Sequence, residues 1–407
     1  MLSASRGVFS QVAGVVPVRL TMLRLTGLVI AVNLGWGVSG YPARATEGLR
    51  VGVMYQATSA LVSASAKGWF YDDSGNRLAP VQALEGWTVT SDGRNLTLNG
   101  PQTQSLTVAG NVRLFVEAAN SQSLVFAGKR WYRGALELKT QGSGVSVINL
   151  VELEHYLYGV VPAEMPRSWP SGALKSQAVA ARSYALANLG KHRSRGYDFC
   201  GTDECQVYAG AAVENLATNR AIDQTRSEVV TYAGRIVPGY FHSSAGGYTE
   251  NSEDVWYQRL PYIRAVPDFD QQSPNYTWFR DVDTTALARG LSKFGISVGN
   301  ITQLIPVTRS YSGRVKEINV VGTEGSKVIS GETFRIAAGL LSTLFNLAPK
   351  HIDGNPLPQG FAFAGRGWGH GLGLSQWGAK TLSEKGYSYM QILAHYYPGA
   401  QLARYGG

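Results

Sequence analysis

Tyr156-Leu157-Tyr158-Gly159-Val160-Val161-Pro162-Ala163-Glu164-Met165-Pro166 leads into a segment, Ser171 to Leu189, that carries the clearest helical period in the chain. Leu174, Ala178, Ala181 and Ala185 recur three or four residues apart, and Pro170 stands where a helix would open. The stripe is narrow and made mostly of alanine. Small residues let a neighbouring element come close, so this helix is expected to be buried at the centre of its domain. Lys175 and Arg182 are seven residues apart and must share one face of it.

Outward from that helix the pattern changes. Upstream, residues 48 to about 150 read as strands: Leu49 to Tyr55, Ala60 to Ala66 and Val145 to Leu153 are short apolar runs. Two polar turn clusters, 72–76 and 91–95, separate strand-like segments. Downstream, 227–250 returns to strand character, 302–321 gives two strands around Ser312-Gly313, and Phe334 to Phe345 reads as helical. Two short helices close the chain, the second opened by Ser388 and Gln391 at capping-box spacing and ended by Pro398-Gly399. The fold class is α+β, with a β-rich N-terminal module followed by a mixed domain around one central buried helix.

Arg19 and Arg24 precede an apolar stretch, Leu25 to Val38, which is short for a bilayer span, and Ala43-Arg44-Ala45 supplies a small-x-small cleavage pattern. Residues 1–45 therefore read as a signal peptide, or as an N-terminal membrane anchor if uncleaved. Either way the folded part lies outside the cytoplasm, periplasmic or secreted. The net charge of +9 favours an anionic polymer or surface. No run of Lys and Arg accompanies it, so nucleic acid is not the expected partner. Cys200 and Cys205 are the only cysteines, and in an oxidising compartment a local disulfide is favoured. A zinc site there would have to draw on His192, Asp198 or Asp203.

Three segments could carry chemistry. In the first, Glu164 is a single acid set among apolar residues and prolines. That is a desolvated setting of the kind general acids occupy, and also a place where an acid could simply cap the following helix. In the second, Tyr240-Phe241-His242-Ser243-Ser244-Ala245-Gly246-Gly247, neighbours on a strand face opposite ways, so His242 shares a side with Ser244 and not with Ser243. A strand ending in a glycine turn with a surface His accounts for the segment as well as a site does. In the third, Gly365-Arg366-Gly367-Trp368-Gly369-His370-Gly371-Leu372-Gly373, glycine takes every second place. If extended, it shows Arg366, Trp368, His370 and Leu372 on one face, a set suited to a sugar polymer. Ser375-Gln376-Trp377-Gly378 follows and starts a helix.

At these same segments the sequence resembles the sporulation stage II protein D family (SpoIID) and its amidase-enhancer relative LytB. The likeness lies in Tyr158-Gly159-Val160-Val161 with Glu164-Met165-Pro166, Ala173 to Arg182, Cys205 to Gly210, His242-Ser243-Ser244 with Gly246-Gly247, and Gly367 through Ala379. It covers about 130 to 402. This divides the chain into the 1–45 leader, a 46–130 module of unassigned role and a 131–402 domain.

The resemblance implies a lytic transglycosylase of peptidoglycan with Glu164 as its catalytic residue, working without cofactor. It also implies a second reading, a peptidoglycan-binding module that stimulates a cell-wall amidase. Some relatives bind zinc near the cysteines; here Glu204 precedes Cys205 and no His stands between them, so no metal is expected. As supporting roles, Lys175 and Arg182 are expected to orient substrate or acid. His242, Ser243, His370 and Gln376 are expected to hydrogen-bond it, and Tyr156, Tyr240, Trp368 and Trp377 to wall it.

Overall fold

A computed structural model describes residues 48–117, 122–202, 204–256, 258–351 and 355–406; the expected leader and Asp203 lie outside them. The β-rich part is two sheets. One has seven strands in the order Phe199–Cys200, Leu49–Ala57, Gly144–Val151, Ala135–Gln141, Val112–Val116, Gly68–Tyr71 and Arg77–Val81. The other has six and includes Ala60–Ala64, Trp87–Ser91, Asn95–Asn99 and Leu124–Ala127. Buried residues of both, such as Leu114, Leu136 and Ile148 from the first and Val62, Val89 and Leu98 from the second, share one core. Phe70 and Trp87 meet across it edge to face at 5.1 Å. The expected boundary at 130 cuts this unit, because the 135–141 and 144–151 strands belong to the first sheet.

The chain then enters α1 (Leu153–Glu164) and α2 (Ser171–Ala187). The sequence reading missed α1. Gly159 and Pro162 lie inside it, and both disfavour a helix. Packing overrides them: Tyr156, Leu157, Val160 and Val161 are fully buried in the core of the β part. The alanine stripe of α2 is what admits α1, with Ala178, Ala181 and Ala185 buried in the same cluster. Further helices are α3 (Leu216–Gln224), α4 (Ser252–Trp256), α5 (Thr284–Ser292), α6 (Gly331–Ala338), α7 (Gln376–Glu384) and α8 (Tyr389–Tyr396). The capping box of Ser388 and Gln391 forms at the start of α8. The helix expected over Phe334 to Phe345 is shorter: Gly339, at φ +65°, ends α6, and Phe345 begins a strand.

Residues 277–366 build a separate core around Phe334, Phe345 and Phe363. Two three-stranded sheets and two helices, α5 and α6, enclose it. This module is spliced between two partners of one short parallel pair: Phe241 faces Leu374, and His242 faces Ser375. The second and third sequence segments are thereby neighbours, although about 130 residues separate them.

Candidate functional site

Glu164 is the last residue of α1, half-buried. Its Oε1 accepts the N–H of Val207 at 2.9 Å, a bond to the 199–210 loop. It does not cap α2, whose N-cap is Pro170 with no side-chain cap bond. Gln206, beside Val207, is buried. Its Oε1 accepts the Tyr156 hydroxyl at 3.1 Å, and its Nε2 donates to Ala181 O at 3.3 Å. The loop holding Glu164 is thus tied to both helices. It is also braced internally, since Cys200 and Cys205 form a disulfide with Cα atoms 5.7 Å apart.

Helical geometry sorts the predicted residues. At 100° per residue, Gln177, Ala181 and Tyr184 lie on the side of α2 opposite Lys175 and Arg182. The first side carries the site. Gln376 Nε2 donates to Gln177 Oε1 at 3.3 Å, and the Tyr184 ring stands edge-on to Tyr240 at 6.1 Å. Trp377 donates its backbone N–H to Ser243 O at 3.1 Å and meets Trp169 edge to face at 4.8 Å. Trp169 belongs to the short turn that follows Glu164, so the first and third segments touch there. Ser244 and Trp368 exchange both backbone hydrogen bonds, at 2.7 and 3.1 Å. Trp368 and Trp256 are substantially exposed, and Trp256 packs on both Tyr240 (4.6 Å) and His370 (5.2 Å).

Three expected site residues fall elsewhere. Arg182 reaches no solvent: its Nε and Nη2 clamp the two Glu154 oxygens at 3.0 and 2.6 Å, and Nη1 reaches Glu228 O at 3.0 Å. It joins α1, α2 and the Glu228–Tyr232 strand. Tyr156 is wholly buried, so it walls no substrate. Lys175 sits over the Tyr389 ring at 5.7 Å, and Tyr389 bonds Glu228, which places Lys175 with Arg182 on the far side of α2.

The glycine run is not an extended strand. Gly367, Gly369, Gly371 and Gly373 all have positive φ, from +67° to +112°. Each also meets something a Cβ would strike: the Ser244 carbonyl, His242, the Arg314 guanidinium and the Tyr240 carbonyl respectively. The alternation thus serves close approach, leaving Trp368 exposed and packing the His370 ring against Tyr240, His242 and Trp256.

His242 and His370 grip one residue. His242 Nδ1 donates to Leu372 O at 3.2 Å, and His370 Nδ1 accepts Leu372 N–H at 2.9 Å. Their rings lie 5.5 Å apart. Burial first, then His370 and Arg314, push His242 well below the ordinary imidazole range. Lost hydration, then Arg335 and Arg314, hold His370 at about 4 against the pull of Glu332. Ser244 donates its hydroxyl to Asp270 and not to His242, so these residues form no serine–histidine pair.

Both imidazoles bind fewer protons folded than unfolded. Their contribution to stability is whole above the ordinary value of 6.5 and is lost as pH falls through the folded values. Asp268, raised to about 7 by burial and Asp270, acts in the opposite sense, present below 3.8 and lost as pH rises through 7. Variant and parent must therefore be compared. Urea midpoints of the parent should drop more steeply between pH 6.5 and 4 than those of His370→Gln.

His192, Cys200 and Cys205 place ligand atoms within 4.8 Å of one another. With both sulfurs committed to the disulfide, one imidazole remains, and that set does not fit a structural zinc. Asp198 is turned away, accepting from Arg50 N and Gly190 N. Gln206, Trp169 and Trp256 were not singled out from sequence. Trp169, set between Pro166 and Pro170 just after Glu164, carried a readable signal.

Comparison with known proteins bears on these same segments. A family described as Stage II sporulation protein matches residues 141–232, which hold α1, α2, Glu164 and the disulfide loop. A domain of unknown function matches 250–373, the spliced module and most of the glycine loop. The chain is 30% identical over 277 residues to an uncharacterized protein of Brachyspira hyodysenteriae, covering 67% of this chain and 73% of that one. It is 30% identical over 293 residues to the amidase enhancer of Bacillus subtilis, 61% of this chain but only 40% of that protein. Stage II sporulation protein D of Bacillus amyloliquefaciens is 29% identical over 269 residues, with 62% and 74% covered. Taken with the Glu164 helix, the paired loops and the glycine turn, these likenesses assign the chain: it belongs to the SpoIID family.

Proposed function

We propose that the chain is a lytic transglycosylase that cuts peptidoglycan glycan strands, with Glu164 as the single acid and base. The supporting observation is the position of Glu164. Its carboxylate ends α1 in a loop tied down at Val207, and the turn that follows it carries Trp169 to Trp377. The chemistry closes on one carboxyl group. Glu164 protonates the glycosidic oxygen; the muramic C6 hydroxyl attacks C1 and gives its proton to the Glu164 carboxylate. The C1–O bond breaks, a 1,6-anhydro ring forms, and the enzyme regains its starting state. A hydrolase would require a second carboxylate. The C6 hydroxyl needs none, because it is part of the same sugar and held at high effective concentration.

In this reading Tyr240, Trp368 and Trp377 line the strand, and Ser243, His370 and Gln376 offer polar contacts. His242 stands behind them and positions His370 through Leu372. The reaction needs no cofactor, and its substrate places the working protein outside the cytoplasm. A second reading is favoured by the likeness to an amidase enhancer: the same surface docks on the wall and stimulates a partner amidase. Incubating pure protein with glycan strands, with and without an added cell-wall amidase, separates the two. Anhydro-ended fragments from the protein alone support the enzyme. Faster amidase turnover with uncut strands supports the enhancer.

A further inference from the structure

We infer that Arg314 is a positioning residue: through its guanidinium the spliced module sets the shape of the glycine loop and so holds Trp368 at the proposed glycan surface. The role at the glycan rests on the proposed substrate; the shaping of the loop does not. Arg314 stands between the turn 310–313 and the Val315–Gly322 strand. That turn is firmly built. Gly313 N–H reaches Ser310 O at 3.0 Å, Ser310 N–H reaches Arg314 O at 2.9 Å, and Ser310 Oγ accepts Arg314 N–H at 3.2 Å. Ser310 and Ser312 both donate their hydroxyls to the buried Glu250 carboxylate, and Glu250 donates its own N–H to Gly371 O at 2.8 Å. The turn is thus tied to the glycine loop even apart from Arg314.

The guanidinium forks across the Ser244–Trp368 pair. It serves the residue that follows each partner: Nη2 donates to Ala245 O at 2.7 Å and Nη1 to Gly369 O at 3.4 Å. A Cβ on Gly371 would fall 2.8 Å from the guanidinium, so glycine at that place is what lets the cation in. One side chain therefore touches three points on the two backbones that carry Ser244 and Trp368. The same module also holds the amide side of the loop, since Gly369 N–H reaches Leu341 O at 2.9 Å.

Stability alone does not account for an arginine here. Arg314 is 2% exposed, its guanidinium bonds go to two carbonyls and to no carboxylate, and Nε has no acceptor among the described residues. Burial lowers its pKa, with Glu250 and Glu332 resisting and Arg335 adding to the fall. Arg182, equally enclosed, is clamped on Glu154; Arg314 has no such direct partner among the described residues. A cation buried in that way costs stability relative to an apolar side chain of its size. What the apolar side chain lacks is a rigid, two-pronged reach to both backbones of the pair. Lysine lacks it too, because its single ammonium rides on a flexible stem.

The test reads the loop directly. The full chain is labelled with 5-fluorotryptophan, and its fluorine NMR lines are assigned by replacing one tryptophan at a time with phenylalanine. Arg314→Met should move or broaden the Trp368 line. The lines of Trp69, Trp87 and Trp131, in the β part, should stay in place and show that the fold is intact. Arg314→Lys should displace the Trp368 line as well, because one ammonium does not serve both carbonyls. It also decides the matter if Arg314→Met fails to fold. A Trp368 line at the parent position in either folded variant overturns the inference. These spectra need no glycan, so they stand apart from what the chain binds. On a Glu164→Gln background, affinity for glycan strands should fall about tenfold in Arg314→Met and in Trp368→Ala, and the double variant should lose no more than Trp368→Ala alone. Losses that multiply, or no loss in Arg314→Met, overturn the link between the two residues. A Glu164→Gln chain that binds no glycan overturns the proposed substrate instead and leaves the spectra to decide the positioning.

Discussion

Glu164→Gln should stop the release of anhydro-ended fragments, slowing turnover by about 10³-fold or more, while glycan binding persists. Removal of a positioned general acid typically costs 10² to 10⁴ in rate, and here one side chain serves both as the acid and as the base for the C6 hydroxyl. Glutamine keeps the shape and can still accept the Val207 N–H, so the loop should hold. It has no proton to give to the leaving oxygen. Parallel measurement of turnover by mass spectrometry and of binding by pull-down on glycan strands distinguishes this from simple unfolding. A variant that still cuts at half the parent rate would remove Glu164 from the mechanism.

Arg182→Met should lower stability by about 3–5 kcal/mol, because it leaves the Glu154 carboxylate buried with no counter-charge. Both side chains are almost fully enclosed, so solvent screens little. The pair also ties four elements together, α1, α2, α3 and the Glu228–Tyr232 strand, since Arg182 donates to the carbonyls of Ile222 and Glu228. Converting Glu154 to Leu in the same chain should recover much of the loss, as removing both charges removes the uncompensated one. Urea unfolding of the two single variants and the double gives the coupling. If Arg182→Met unfolds at the parent's midpoint but loses glycan affinity, Arg182 belongs to the site after all.

Arg182 also illustrates how far the sequence reading carries. The spacing of Lys175 and Arg182 placed them on one face, and they do share it. Periodicity could not say what covers that face, because the partner, Glu154, lies on the preceding helix. That helix was itself concealed, since Gly159 and Pro162 mask a segment held by burial of Tyr156, Leu157, Val160 and Val161. The alanine stripe and the Ser388 capping box were legible because each depends on residues within one element. The glycine alternation marked an unusual backbone but was read with the wrong sign of φ. Composition cannot separate a bare strand face from a series of left-handed turns; the contacts of Gly367 through Gly373 can. The convergence of Gln376 on Gln177, and of Trp377 on Trp169, follows from the splice that pairs Phe241 with Leu374. Such a long-range pairing leaves no local trace.

The mechanism is tested most directly by the source of the oxygen at the new strand end. With the parent protein digesting glycan in ¹⁸O-labelled water, the muramyl ends should weigh one water less than reducing ends and carry no label, because the sugar's own hydroxyl closes the ring. Labelled reducing ends would contradict the account by showing that water attacked, and strands left whole in an active preparation would contradict it by showing that nothing did.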